Sequence, residues 1–145
     1  MDGVRNARHI FEQYDESASN RVEREVAVSL NALERKTFPA GSAIIKQGDT
    51  AHAAYVVDSG KVEIWVEKSG AKRVLSEVTT GGIFGEMALI DAKPRSANAT
   101  AVSDTVCIVV PEKLFRDKIE PIDPLIKALL RVLVRNVRAA DARMA

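Results

Sequence analysis

Seven of the eight glycines lie between Gly41 and Gly85, separated by short runs rich in valine and isoleucine. Glycine reaches backbone conformations closed to other residues and so marks tight turns. β-Branched runs between such marks favour strands, and together they describe a small all-β unit. Pro39-Ala40-Gly41 and Gln47-Gly48-Asp49 are turns on either side of a strand at Ala43-Ile44-Ile45. Tyr55-Val56-Val57 is the next strand, and Asp58-Ser59-Gly60 turns it into a run from Lys61 to Lys68. In that run Val62, Ile64 and Val66 alternate with Glu63, Trp65 and Glu67. The alternation predicts one face in the core and the other mostly in water. Ser69-Gly70 makes a hairpin into Arg73 to Val78, and further strands are expected over Ser96 to Val102 and Thr105 to Val110. Turns about every ten residues point to an antiparallel β-roll or jelly-roll barrel and away from a parallel sheet.

Helices flank this roll. Val4, Ala7, Phe11 and Tyr14 recur at helical spacing, and Asn20 with Glu23 forms a capping box for a second helix carrying Val22, Val26, Leu30 and Leu33. Beyond the strands, a short helix is predicted from Glu112 to Ile119, and Asp123 caps a longer one with Pro124 at its first position. Leu125, Ile126, Leu129, Leu130, Leu133, Val134 and Val137 form a broad apolar stripe on it, as far as about Ala140. Lys127, Arg131, Arg135 and Arg138 run along another side, with Arg143 just beyond, and read as a solvated face. The stripe is wider than contact with the roll requires, leaving room for a lid or a dimer interface. The expected organisation is one mainly β domain with flanking helices: an N-terminal helical segment at 1–36, the roll at 37–110, and C-terminal lid helices at 111–145.

Composition narrows the function classes. A chain of 145 residues can bury a real core. Its formal net charge of +1 argues against a nucleic-acid binder that relies on a basic surface. The lone cysteine, Cys107, sits in the apolar run Val106 to Val110, so it reads as a buried thiol in a reducing compartment. No apolar segment reaches the length of a membrane span, and the polar start is no signal peptide, so a cytoplasmic protein is expected. His9 and His52, the two histidines, are too far apart for the H-x-H metal pair of a cupin-type enzyme. No activated nucleophile stands out, so neither catalysis nor a metal or other cofactor is expected.

The chemistry concentrates between Gly81 and Ala101, GGIFGEMALIDAKPRSANATA. Gly81, Gly82 and Gly85 let the backbone turn sharply and approach a bound group. Glu86 to Ile90 reads as one or two helical turns whose first N–H groups point back at that glycine-rich approach, a setting that favours an anion. Arg95 follows the Asp91-Ala92-Lys93-Pro94 turn, and its planar, permanently charged fork suits a phosphate. Glu86 is out of place beside an anion unless it holds a donor of its own, which a sugar hydroxyl would supply. The stretch therefore asks for one ligand bearing a phosphate and a hydroxyl close together.

These residues resemble the cyclic-nucleotide-binding domain family of protein kinase A regulatory subunits, cyclic-nucleotide-gated channels and the bacterial catabolite activator protein. The likeness covers roughly Leu33 to Arg138. Its hallmark is a phosphate-binding cassette of the form F-G-E-x-A-L, a short turn, then P-R and small residues. Here it reads Phe84-Gly85-Glu86-Met87-Ala88-Leu89-Ile90, then Pro94-Arg95-Ser96-Ala97. Phe38-Pro39-Ala40-Gly41, Gln47-Gly48-Asp49 and Tyr55 to Val62 agree with the flanking pattern. The resemblance implies a sensor domain whose ligand is a cyclic nucleotide, cAMP in preference to cGMP. It implies Arg95 on the cyclic phosphate with backbone amides around Gly85 to Ala88, and Glu86 on the ribose 2′-hydroxyl. The base would lie against the roll beneath the C-terminal helix, with Leu129, Leu130, Leu133 or Val134 as caps, or Arg131 or Arg135 stacked on the purine. Ser96 stands where alanine or threonine is common, and Asn98 where a β-branched residue is common.

The ligand-contacting set expected on this basis is Phe84, Gly85, Glu86, Met87, Ala88, Arg95, Ser96 and Ala97. The output would be movement of the C-terminal helices, read by an effector protein or a tethered effector domain, with a homodimer through the last helix. DNA binding by a following helix-turn-helix is not expected, because the residues after the long helix run out at Ala145. The alternative is a degenerate scaffold of the same fold that serves as a protein-interaction module and has lost its ligand.

Overall fold

The computed structural model describes Glu25 and residues 28–145. The helix expected from Val4 to Tyr14 lies outside the described residues, as does most of the one opening at Asn20. The last turn of the latter, residues 28–31, is helical.

Eight strands follow: β1 (Arg35–Phe38), β2 (Ala43–Ile45), β3 (Ala53–Ser59), β4 (Lys61–Lys68), β5 (Ala71–Thr79), β6 (Ile83–Phe84), β7 (Asn98–Ala101) and β8 (Thr105–Pro111). They form two four-stranded antiparallel sheets, ordered β1-β8-β3-β6 and β2-β7-β4-β5. This is the antiparallel roll that the turn spacing predicts. Two strands are not legible from pattern: β1, Arg-Lys-Thr-Phe, carries a single apolar residue, and β6 has only two residues, too few to display a period.

The core forms where the sheets face each other. Phe38, Ile45, Val57, Val62, Phe84, Ala99, Ala101 and Cys107 make one buried cluster drawn from both sheets. On the opposite side of the first sheet, Val56 and Ile108 pack with Leu30, so the end of the N-terminal helix covers that face. Along β4 the expected alternation appears: Val62 and Val66 are buried, while Trp65 lies half-buried on the outer face with its Nε1–H donating to Thr100 Oγ1 at 2.9 Å. Gly60 makes the tight link from β3 to β4. Its φ is +97°, and a Cβ there would stand 2.5 Å from Thr105 Oγ1, so no larger residue fits.

Three helices complete the described chain: α1 (Met87–Asp91), α2 (Glu112–Ile119) and α3 (Pro124–Met144). Asp123 Oδ1 accepts from Leu125 N–H at 2.8 Å with Pro124 opening α3, the expected cap. At 21 residues α3 runs one turn past the end expected at Ala140. Leu125, Leu129 and Leu133 are 67%, 50% and 59% exposed, whereas Val134 is buried. Among the described residues α1 is the main neighbour of α3. None of the described helices is long and apolar enough to cross a membrane.

Candidate ligand site

The segment that forms the site is anchored before it begins. Gly81 N–H donates to Val57 O and Val57 N–H to Gly82 O, both at 2.9 Å, which fixes the turn onto β3. Strand β6 then pairs Phe84 with Tyr55, and the two rings stack at 5.3 Å with 19° between their planes. Phe84 is buried in the core, so the backbone leaving it has a set direction. Gly85 turns that backbone with φ +78°. A Cβ at Gly85 would lie 2.7 Å from Arg95 Nη1 and 2.9 Å from Ile45 Cδ1, so the missing side chain makes room for the arginine.

Arg95 is 8% exposed, a buried cation. Its Nη1–H donates to Gly85 O at 2.6 Å and its Nη2–H to Ala53 O. The backbone of Arg95 is pinned as well: its N–H donates to Asp49 O at 2.9 Å, and its carbonyl accepts from Gly48 N–H at 2.8 Å. Among the described residues it makes no ion pair, since both guanidinium partners are neutral carbonyls. Burial pulls its pKa below the ordinary value, against the favourable pull of Tyr55 and Glu86. Guanidinium is so weak an acid that the group remains charged at neutral pH.

Glu86 occupies the position before α1, in helical conformation and with no side-chain cap bond. The first intrahelical bonds run from Leu89 and Ile90 N–H to Glu86 O, at 3.1 and 3.2 Å, so the N–H groups of Met87 and Ala88 lie ahead of the ladder. Burial pushes the Glu86 carboxyl above its usual range, its own N–H and the Arg95 charge oppose this, and Asp141 adds to it. A desolvated carboxylate beside a cation that is bonded elsewhere is short of a donor.

A cavity of about 210 Å³ opens between the cassette, the second sheet and α3. All eight residues singled out from the sequence line it: Phe84, Gly85, Glu86, Met87, Ala88, Arg95, Ser96 and Ala97. Ile64, Ser76 and Val78 supply the wall from β4 and β5, and Asn98 adds an amide whose Oδ1 accepts from Gln47 N–H at 2.9 Å. The helix side differs from expectation. Leu129, Leu130, Leu133, Val134, Arg131 and Arg135 do not line the cavity; Val137, Arg138 and Asp141 do. The α3 residues that reach the cavity all lie in the C-terminal half of the helix, which extends to Met144. Arg138 belongs by spacing to the row of solvated cations, yet it donates Nη2–H to Asp91 Oδ1 at 3.0 Å and Nε–H to Asp91 Oδ2. Spacing along one helix gave no sign of this, because the partner lies 47 residues away.

Among the described residues the site holds one buried cation with no ion-pair partner, one carboxylate whose hydrogen-bond donor is its own N–H, and an apolar wall. That set can bind a small molecule carrying an anion, a hydroxyl and a flat apolar group. Cys107 plays no part in it: the thiol is wholly buried in the core, and burial pushes its pKa up to about 12.

The family model of the cyclic nucleotide-binding domain matches residues 35–121, from β1 through α2. The chain belongs to that family. A cyclic AMP receptor protein of Thermus thermophilus is 35% identical over 121 residues, covering 83% of this chain and 56% of the relative. A cAMP-dependent protein kinase regulatory subunit of Dictyostelium discoideum is 31% identical over 134 residues, covering 88% and 41%. The chain thus spans about half the length of the curated relatives it matches. Among solved structures, the Thermus thermophilus catabolite activator protein superposes with a TM-score of 0.67 at 32% identity, covering 93% of this chain and 61% of that one. An EAL enzyme in its cAMP-bound form superposes at 0.73 with 29% identity, covering 75% and 29%. Cyclic nucleotide-binding domains thus occur in regulators and also alongside enzymes.

Proposed function

We propose that this cyclic nucleotide-binding domain is a cAMP sensor with no catalysis of its own. Arg95 would hold the cyclic phosphate with the N–H groups from Gly85 to Ala88, Ser96 and Ala97 closing that side. Glu86 would accept from the ribose 2′-hydroxyl, and Phe84 and Met87 would shape the ribose end. The observation that carries this reading is the pairing of a buried arginine held by carbonyls with a partly buried carboxylate in one cavity. The preference for cAMP over cGMP is supported by the receptor protein and kinase regulatory subunits among the relatives. A cGMP-dependent protein kinase of Toxoplasma gondii, 32% identical over 127 residues, makes cGMP the competitor to test.

Binding would bias the position of α3, by as much as the ligand's affinity differs between its positions and no more. The effector that reads it would be a separate protein or a tethered domain, in a cytoplasmic setting. The exposed face of α3, with Leu125, Leu129 and Leu133, supports a second copy as one partner. Leu129→Glu should then shift the protein to monomer in sizing experiments, and an unchanged elution would remove the dimer.

Calorimetry with cAMP, cGMP, 2′-deoxy-cAMP and AMP tests the ligand. The expected order places cAMP first and 2′-deoxy-cAMP about ten-fold weaker, because that analogue leaves Glu86 without its donor. In thermal melts, a ligand at a hundred times its Kd should add about 2.7 kcal/mol of stability. No shift with any cyclic nucleotide would support the degenerate scaffold instead.

A further inference from the structure

Arg138 and Asp91 form the one extensive polar contact between α3 and the cassette among the described residues. Their side chains are only 16% and 12% exposed, and two separate hydrogen bonds join them in a bidentate arrangement. Asp91 closes α1, and Ala92 after it turns with φ +56°; Asp91 Oδ1 also accepts from Lys93 N–H at 3.0 Å. The carboxylate is therefore oriented by its own turn before it meets the arginine. A planar fork on a pre-oriented carboxylate fixes angle as well as distance. What it fixes is the stretch of α3 that walls the cavity: Val137, Arg138 and Asp141. Among the described residues the rest of α3 is held lightly: Leu125, Leu129, Leu133 and Val137 are all about half exposed or more, and Val134 is the one buried residue of the helix.

We propose that the Asp91–Arg138 pair is a clasp that sets α3 over the cavity, making both residues positioning residues for ligand binding. Asp91 itself does not line the cavity. With the Lys93 N–H bond kept, an effect of Asp91 on affinity passes through Arg138 and the placement of α3, which separates the clasp from direct contact. The affinity part rests on the reading of the cavity as a cyclic-nucleotide site. The helix-docking part does not.

Asp91→Asn keeps the acceptor for Lys93 N–H and the side-chain volume but removes the charge. Hydrogen exchange on the free protein should then quicken about ten-fold across 134–144, the loss of a charge-assisted bond, with β3 and β8 unchanged. cAMP affinity in Asp91→Asn and in Arg138→Gln should each fall about ten-fold, mainly through faster release, and the double variant should be no worse than either single one. Additive losses would mean that Arg138 acts on the ligand independently, and the clasp would be rejected. Unchanged exchange over 134–144 in Asp91→Asn would reject it whatever the affinities. Quickened exchange in a protein whose parent binds no cyclic nucleotide would keep the clasp as a docking device and overturn the proposed ligand instead.

Discussion

Each end of α1 brings a carboxylate near an arginine, and the two ends use the pair in opposite ways. At the C-terminal end, Asp91 and Arg138 join directly. Burial works against the Asp91 carboxylate, but the bonds from Arg138 and Lys93 N–H, with the charges of both, hold it below the usual range. At the N-terminal end, Glu86 and Arg95 feel each other's charge without forming an ion pair, because the guanidinium is taken by the carbonyls of Gly85 and Ala53. Glu86 is left above its usual range. The backbone makes the difference: Gly85 brings a carbonyl to within 2.6 Å of Arg95 Nη1, at a place where any side chain would collide. The C-terminal pair has saturated its charge and can serve structure. The N-terminal pair retains unspent electrostatic capacity, which is what a ligand site needs.

The contrast is most exposed to failure at the arginines. Arg95→Ala should lose about 1.5–3 kcal/mol of cAMP binding, ten- to a hundred-fold, because a charge-assisted contact disappears. Arg95→Lys keeps the charge but not the fork and should fall between the two. The same calorimetry on Arg138→Gln should show the smaller loss expected of a residue acting through helix position. Equal losses at Arg95 and Arg138 would erase the distinction between a ligand-holding end and a structural end.

The sequence announced the first end and hid the second. Phe84 to Ala97 is contiguous, and its residue types have few other reasons to stand together, so the glycine turn, the carboxylate and the arginine could be placed without coordinates. The roll was legible for the same reason: turn residues and apolar runs are local signals, and β1, with one apolar residue, and β6, with two residues in all, carry none. The α3 contacts depend on how far a helix runs and which way it leans. Position along the apolar stripe favoured Leu129 to Val134 as lid residues, but a helix ending at Met144 brings Val137, Arg138 and Asp141 to the cavity instead. A cation in a row of cations reads as solvated unless its distant partner is known, and Asp91 gave no local hint of Arg138.

Glu86→Gln tests the uncompensated carboxylate, with a middle-sized effect of two signs. Affinity for cAMP should fall about ten-fold, since a neutral amide oxygen is a weaker acceptor for the 2′-hydroxyl than a carboxylate. The free protein should become more stable at neutral pH. A carboxyl with a raised pKa in the fold contributes stability below its unfolded value and loses it as pH rises through the folded value, so at pH 7 the charged Glu86 is a cost. Melts of the variant and parent should differ at pH 7 and converge near pH 4. A variant less stable at pH 7 would mean that Glu86 has a structural partner, and the opposition between the ends of α1 would be wrong.

Acid should separate the two ends by the smallest but most direct margin. Glu86 takes up its proton above the ordinary glutamate value of 4.5, so on descending from neutral pH the 2′-hydroxyl contribution is the first to go. Asp91 is depressed below the ordinary value of 3.8: the stability it contributes is present above that value and is lost only as pH falls through the lower folded one. Asp141 is raised by burial, with Arg138 opposing, and protonates on the same side as Glu86. Its protonation leaves the clasp in place, because two donors of Arg138 are already on Asp91. Affinity for cAMP should therefore decline at a pH where exchange protection over 134–144 is still intact. 2′-Deoxy-cAMP, which has no hydroxyl for Glu86 to hold, should show no such decline over that interval. Loss of cAMP affinity and of α3 protection at one common pH would show that the two carboxylates titrate as a single unit, and that the ends of α1 are not independent after all.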